Sequence, residues 1–132
     1  MIEEYEIIRS EGGHLTISLL NVHEDQRLRY ELLIKVERGV FSGSEIFYLE
    51  RNYLLSVLNK VSCMYETLTG QCEIKDQWEE PFVILTVGKY GHLSVNGQFG
   101  EKNNGTYLTF YLVSDQTVLP LLIETLKSVV NL

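Results

Sequence analysis

The sequence predicts an α+β fold: a mostly antiparallel sheet of about seven to eight strands with two helices packed on one face. Segments of alternating apolar and polar residues, which are typical of half-buried strands, fill most of the chain. Two other segments place apolar residues at helical spacing. The later strands are joined by short turns, which connect antiparallel neighbours. Two helices with one apolar stripe each need an apolar sheet face to cover.

The chain has the size and composition of a single globular domain spanning residues 1–132. It has 45% hydrophobic and 22% charged residues, which is ordinary for such domains. A chain of this length buries roughly two-thirds of its unfolded surface, so it needs no disulfide or metal to fold.

The first half of the chain contains four predicted strands followed by a helix. The strands cover residues 3–9, 14–22, 27–38 and 44–49. In the third strand, Tyr30, Leu32 and Ile34 alternate with Glu31 and Lys35, which predicts one buried and one exposed face.

The first helix is predicted over residues 51–69. Leu54, Leu58 and Val61 lie on one stripe of it. Gly70 is expected to end the helix, because glycine adopts the left-handed conformation without steric cost.

The second half contains four shorter strands and a closing helix. The strands cover residues 71–75, 82–88, 92–99 and 106–113. After them, Leu119, Ile123 and Leu126 recur at helical spacing. Asp115 is a suitable N-cap for this helix, and Pro120 is tolerated if it lies in the first turn.

The charge balance is strongly acidic, with 11 basic against 18 acidic residues and a net charge of −7. This excess repels phosphate backbones and anionic membranes, so the sequence predicts neither nucleic acid nor membrane as a partner. It favours a basic partner, although solubility alone also explains it. The N-terminus lacks the features of a signal peptide, which predicts a cytoplasmic protein.

The residues with catalytic or ligating potential form no recognisable set. His14, His23 and His92 lack the spacing of a metal site, and Cys63 and Cys72 match no zinc or redox motif. There is no nucleophile elbow and no phosphate-binding loop. The sequence therefore predicts a protein that is not an enzyme and uses no cofactor or metal.

The candidate partner-binding residues are Asp76, Trp78, Glu79 and Glu80, in a segment between two predicted strands. The acids are expected to be solvated in a loop. An exposed tryptophan ringed by acids would anchor an interface and steer a basic partner. The alternative is that Trp78 folds back and covers the edge of the core.

A second candidate surface is the sheet face opposite the helices. It is expected to carry Tyr107, Thr109 and Tyr111, in a chain with eight tyrosines. Tyrosine offers a large contact area at low entropic cost, which suits partner binding. The same pattern also fits an ordinary half-exposed sheet.

The order of several short motifs resembles the WapI-family immunity proteins, which are small bacterial proteins that neutralise a toxin domain. The resemblance covers roughly residues 27–130. The motifs are Gly39-Val40-Phe41-Ser42-Gly43, Tyr65-Glu66-Thr67-Leu68-Thr69-Gly70, Gly91-His92 and Asp115-Gln116-Thr117-Val118-Leu119-Pro120. They are a turn, a helix end, a strand start and a cap, so they describe a scaffold.

The resemblance implies a cytoplasmic protein that binds its cognate toxin domain and occludes the active site. A basic nuclease toxin would be complementary to the acidic chain. The residues leave two alternatives open, a homodimer of the secretion-chaperone kind and a small-molecule-binding domain. A monomer and a homodimer are both compatible with the sequence.

Overall fold

The computed structural model describes residues 3–10, 13–24, 28–76 and 80–131, with side chains from residue 13 onward. In this part of the chain, four strands and a helix are followed by four further strands and a second helix. The predicted α+β class with antiparallel strands is confirmed. No helix among these residues is long and apolar enough to cross a membrane.

The eight strands form two separate four-stranded antiparallel sheets, a division that the sequence pattern did not predict. The first sheet consists of β1 (Glu3–Ser10), β2 (Gly13–Glu24), β3 (Leu28–Arg38) and β4 (Phe41–Glu50). The second consists of β5 (Gly70–Lys75), β6 (Phe82–Val87), β7 (His92–Glu101) and β8 (Thr106–Asp115). In each sheet the strands pair in chain order. The helices are α1 (Arg51–Thr67) and α2 (Leu119–Val130).

The core lies between the inner faces of the sheets and the helices. Where the sheets meet, the Phe47 and Phe99 rings pack edge to face with centroids 6.1 Å apart. The Phe99 and Phe110 rings are 4.9 Å apart. A Cβ at Gly97 would lie 2.5 Å from the Phe82 carbonyl oxygen and 2.7 Å from Phe110 Cζ. The missing side chain at Gly97 therefore makes room for the Phe110 ring.

Helix α1 ends earlier than predicted, and a different residue ends it. Its C-cap is Leu68, which has left-handed backbone angles (φ 55°, ψ 35°). Gly70 already belongs to β5, with φ of 123°. Leu68 is 46% exposed, so its side chain lies at the surface and not in the core.

The start of α2 agrees with the prediction. Asp115 Oδ1 accepts a hydrogen bond from the Thr117 amide at 2.8 Å, which caps the short 3-10 turn leading into the helix. Pro120 lies in the first turn of α2. At the other end, the Val130 carbonyl accepts hydrogen bonds from Tyr30 Oη and Arg51 Nε, which fix the end of α2 against β3 and α1.

The two cysteines differ in accessibility, and this gives a direct test of the packing. Cys63 is exposed on α1, whereas Cys72 is buried in β5. Burial raises the pKa of the Cys72 thiol to about 11. Because the thiolate is the reactive form, we expect a thiol reagent at pH 8 to modify Cys63 alone in the native protein and both cysteines in denaturant. Native modification of Cys72 would contradict this packing.

Candidate functional site

The side of the second sheet that faces away from the core forms a continuous surface, here called the outer face. Its residues alternate with core residues along β5, β6, β7 and β8, and the strand register aligns them in rows. The outer face consists of Gln71, Glu73, Lys75, Phe82, Ile84, Thr86, His92, Ser94, Asn96, Gln98, Tyr107, Thr109, Tyr111, Val113 and Asp115. In one such row, Ile84 on β6 is paired with Asn96 on β7, and Asn96 is paired with Tyr111 on β8.

The centre of the outer face, from Ile84 across Asn96 to Tyr111, carries no formal charge, although the chain as a whole is acidic. It offers aromatic rings, aliphatic side chains, hydroxyls and amides. Tyr107 is 47% exposed and Tyr111 is 55% exposed, which confirms the prediction that they lie on an open face with Thr109. The charged residues stand at its margins, with Glu73 and Lys75 on β5. Such a surface can bind by stacking, apolar contact and neutral hydrogen bonds.

At one end of the outer face, a polar cleft of about 720 Å³ contains both lysines and acids. Its lining residues are Glu73, Lys75, Glu80, Phe82, Gln98, Glu101, Lys102 and Asn103. Glu80 accepts hydrogen bonds from the Lys102 amide at 3.0 Å and from Asn103 Nδ2 at 2.7 Å. Its carboxylate therefore supports the β7–β8 turn while it lines the cleft.

The predicted acidic partner-binding segment is only partly described. Trp78 and Glu79 lie outside the described residues. Asp76 is 2% exposed, so the expectation that the acids of this loop are all solvated is wrong for this residue. Asp76 Oδ1 accepts a hydrogen bond from the Tyr48 amide at 2.7 Å, and the Asp76 amide donates to the Pro81 carbonyl at 3.2 Å. Asp76 therefore links the second sheet to β4, whereas Glu80 lies at the surface cleft.

Side chains from other segments form hydrogen bonds with backbone groups of three edge strands, which are β4, β5 and β8. Asp76 does so on β4, at the Tyr48 amide. On β5, the Tyr53 hydroxyl accepts from the Lys75 amide at 2.9 Å and donates to the Glu73 carbonyl at 3.0 Å. On β8, Arg38 Nη1 donates to the Tyr111 carbonyl at 2.7 Å. Such contacts hinder the addition of a foreign strand, so the open sheet face is a better candidate for binding.

Titratable groups in the described residues pair locally. His14 Nε2 lies 3.5 Å from Glu37 Oε2, and His23 Nε2 lies 3.1 Å from Glu31 Oε1. Hydrogen bonds from the Thr117 hydroxyl and amide lower the pKa of Asp115. In the part of the chain that the structure describes, no group of three or more His, Cys, Asp or Glu side chains is placed to hold a metal ion.

The fold is shared with solved plant proteins. The structure of the plant transcriptional regulator PBF-2 is similar with a TM-score of 0.62 and 11% sequence identity, over 98% of this chain and 81% of that chain. The structure of WHY1 from Arabidopsis thaliana is similar with a TM-score of 0.60 and 13% identity, over 98% and 82% of the two chains. No family profile and no curated protein matches the sequence. At this identity, the likeness shows the fold alone.

The prediction that nucleic acid is excluded as a partner is wrong, because the same fold occurs in a plant transcriptional regulator. That prediction used the net charge of −7, which is summed over the whole molecule. Binding takes place on one surface, and the described carboxylates of the outer face, Glu73 and Asp115, lie at its margins. Net charge alone therefore does not decide which polymer this surface contacts.

Proposed function

We propose that this protein is a cytoplasmic immunity protein that binds a cognate toxin domain through the outer face and occludes its active site. The open outer face, which has an uncharged centre and exposes Tyr107 and Tyr111, is the observation that carries the proposal. Protein interfaces have cores that are depleted of charge and enriched in aromatic residues, and their rims are polar. The margins of the outer face, with Glu73, Lys75 and Lys102, have the composition of such a rim.

The resemblance to WapI-family immunity proteins supports the proposal, because its motifs occupy positions that this fold requires. A Cβ at Gly43 would collide with the end of the Leu108 side chain, so glycine on β4 leaves room for this leucine of β8. Asp115 and Thr117 cap the entry to α2. The motifs thus hold the two sheets and the second helix together, and the outer face remains free to vary between partners.

The net charge supports a basic toxin as the partner. A charge of −7 accelerates encounter with a basic domain through long-range attraction, while the uncharged centre of the outer face supplies the short-range contact. A toxin that acts on nucleic acid carries a basic active-site surface, and an acidic protein seated over it would exclude the substrate.

A second candidate function is binding of single-stranded nucleic acid, which the shared fold with a transcriptional regulator favours. Aromatic side chains can stack on bases, and amides such as Asn96 and Gln98 can form hydrogen bonds with base edges. Lys75 and Lys102 lie at one end of the outer face, where they could contact phosphates.

The two candidates are tested side by side with purified protein. The first arm mixes it with the C-terminal domain of the secreted protein encoded next to its gene, and calorimetry measures complex formation. The second arm titrates a fluorescent oligothymidine at low salt. We expect a stable complex with the toxin domain, and restored growth when both are expressed in one cell. Binding of the oligonucleotide without binding of the domain would contradict the immunity proposal and favour the second candidate.

A further inference from the structure

A separate groove runs where β8 crosses the β3–β4 end of the first sheet, here called the crossing groove. It has a volume of about 400 Å³. Its lining residues are Val36, Arg38, Phe41, Ser42, Leu108, Thr109, Phe110, Tyr111 and Leu112. Most of these side chains are apolar or aromatic, and Ser42 and Thr109 add hydroxyl groups.

Arg38 is the one charged residue among those that line the crossing groove. It is exposed, and its Nη1 donates to the Tyr111 carbonyl at 2.7 Å, which fixes the guanidinium beside the groove. A guanidinium has five N–H donors, so others remain available to an anion. In a chain of net charge −7, this groove thus presents a local positive charge.

The rim of the crossing groove exposes large apolar side chains. Phe41 is 72% exposed, and Val40, at the turn between β3 and β4, is 95% exposed. Tyr111 belongs both to this rim and to the outer face. Neighbouring large apolar side chains that are exposed to solvent often mark a site where a protein binds a partner.

We propose that the crossing groove binds a carboxyl-terminal peptide segment of the partner protein. An apolar side chain of the segment would pack between Phe41 and Leu108, above the buried Leu112, and its terminal carboxylate would pair with Arg38. Arginine binds carboxylates through two parallel N–H donors, which gives the strongest pairing of this kind. That the partner is a toxin domain rests on the function proposed above. The assignment of the groove to a peptide carboxylate rests on the residues of the groove alone.

The chemistry of the groove favours a peptide as the source of that carboxylate. Ser42 and Thr109 are exposed residues that border the groove, and their hydroxyl groups can form hydrogen bonds with the amides of an extended chain. A fatty acid has no amide groups for such bonds. We therefore assign the groove to a peptide, and make the fatty acid an outcome of the test.

The experiment uses NMR of the full chain with labelled Val and Leu methyl groups, so that Val36, Leu108 and Leu112 report on the groove. The probes are acetyl-Gly-Gly-Leu-Val with a free carboxylate, the same peptide with a C-terminal amide, and octanoate. We expect the free acid to shift these methyl signals, with affinity reduced about tenfold for the amide, since a charge-assisted pair is lost. Arg38→Gln should reduce binding of the free acid to the level of the amide, and an unchanged melting temperature would show that this variant is folded.

The outcomes separate this proposal from the immunity function. Equal shifts by acid and amide, or no shift by either, would overturn the carboxylate assignment. Shifts by octanoate alone would assign the groove to a fatty acid and overturn the peptide. If the free-acid peptide binds but the toxin domain does not, the groove assignment stands and the proposed function fails.

Discussion

Replacement of Asp76 by Ala is expected to lower the free energy of unfolding by about 2–3 kcal/mol, the range for hydrogen bonds to charged groups and for buried groups left unpaired. The carboxyl group is 2% exposed and accepts the Tyr48 amide at 2.7 Å. The alanine variant would leave that partly buried amide without its partner and would remove the hydrogen bond that ties the segment before β6 to β4. Urea denaturation followed by circular dichroism measures the loss.

Two further variants isolate the cause of that loss. Asp76→Asn keeps an oxygen that can accept from Tyr48, so it should retain a large part of the stability. Glu80→Ala removes a partly exposed carboxylate from the same loop and should cost less than Asp76→Ala. If Asp76→Ala left stability unchanged but weakened partner binding, the original interpretation of Asp76 as a contact residue would be correct.

The local structure could be predicted well from the sequence because it depends on local periodicity. Alternation in residues 28–38 and 106–115 marks strands whichever sheet they join, and the stripe of Leu54, Leu58 and Val61 marks a helix. The division into two sheets could not be predicted, because period-two patterns do not specify which strands pair. The left-handed Leu68 was also missed, since a glycine two residues later is the stronger signal in sequence.

The candidate site shows the same limit. Tyr107, Thr109 and Tyr111 could be assigned to one face because they alternate along a single strand. That Asn96 and Ile84 join this face depends on the register of three strands, which sequence does not show. The contact from Arg38 to Tyr111 spans 73 residues, so neither the groove nor its positive charge could be found from local pattern.

The double substitution of Tyr107 and Tyr111 by Ala is expected to weaken binding of the toxin domain by about 100-fold or more. Loss of one interface tyrosine at a binding hot spot costs about 2 kcal/mol or more, and each 1.4 kcal/mol is tenfold in affinity, so two such losses that are not fully additive give about 100-fold or more. Both side chains are half exposed, so the melting temperature should change little. The Arg38 hydrogen bond uses the Tyr111 backbone and persists in the variant. Calorimetry of the purified complex measures the change in affinity.

Tyr65→Ala is the matched control for this experiment. Tyr65 lies on α1 and is 42% exposed, similar to Tyr107 at 47%, but it is not part of the outer face. We expect Tyr65→Ala to bind the toxin domain with unchanged affinity. If the double variant kept full affinity for the toxin domain but lost affinity for oligothymidine, the outer face would be a nucleic-acid surface. If it kept affinity for both, the interface would lie elsewhere, because an exposed tyrosine pair inside a binding surface cannot be removed without loss of contact area.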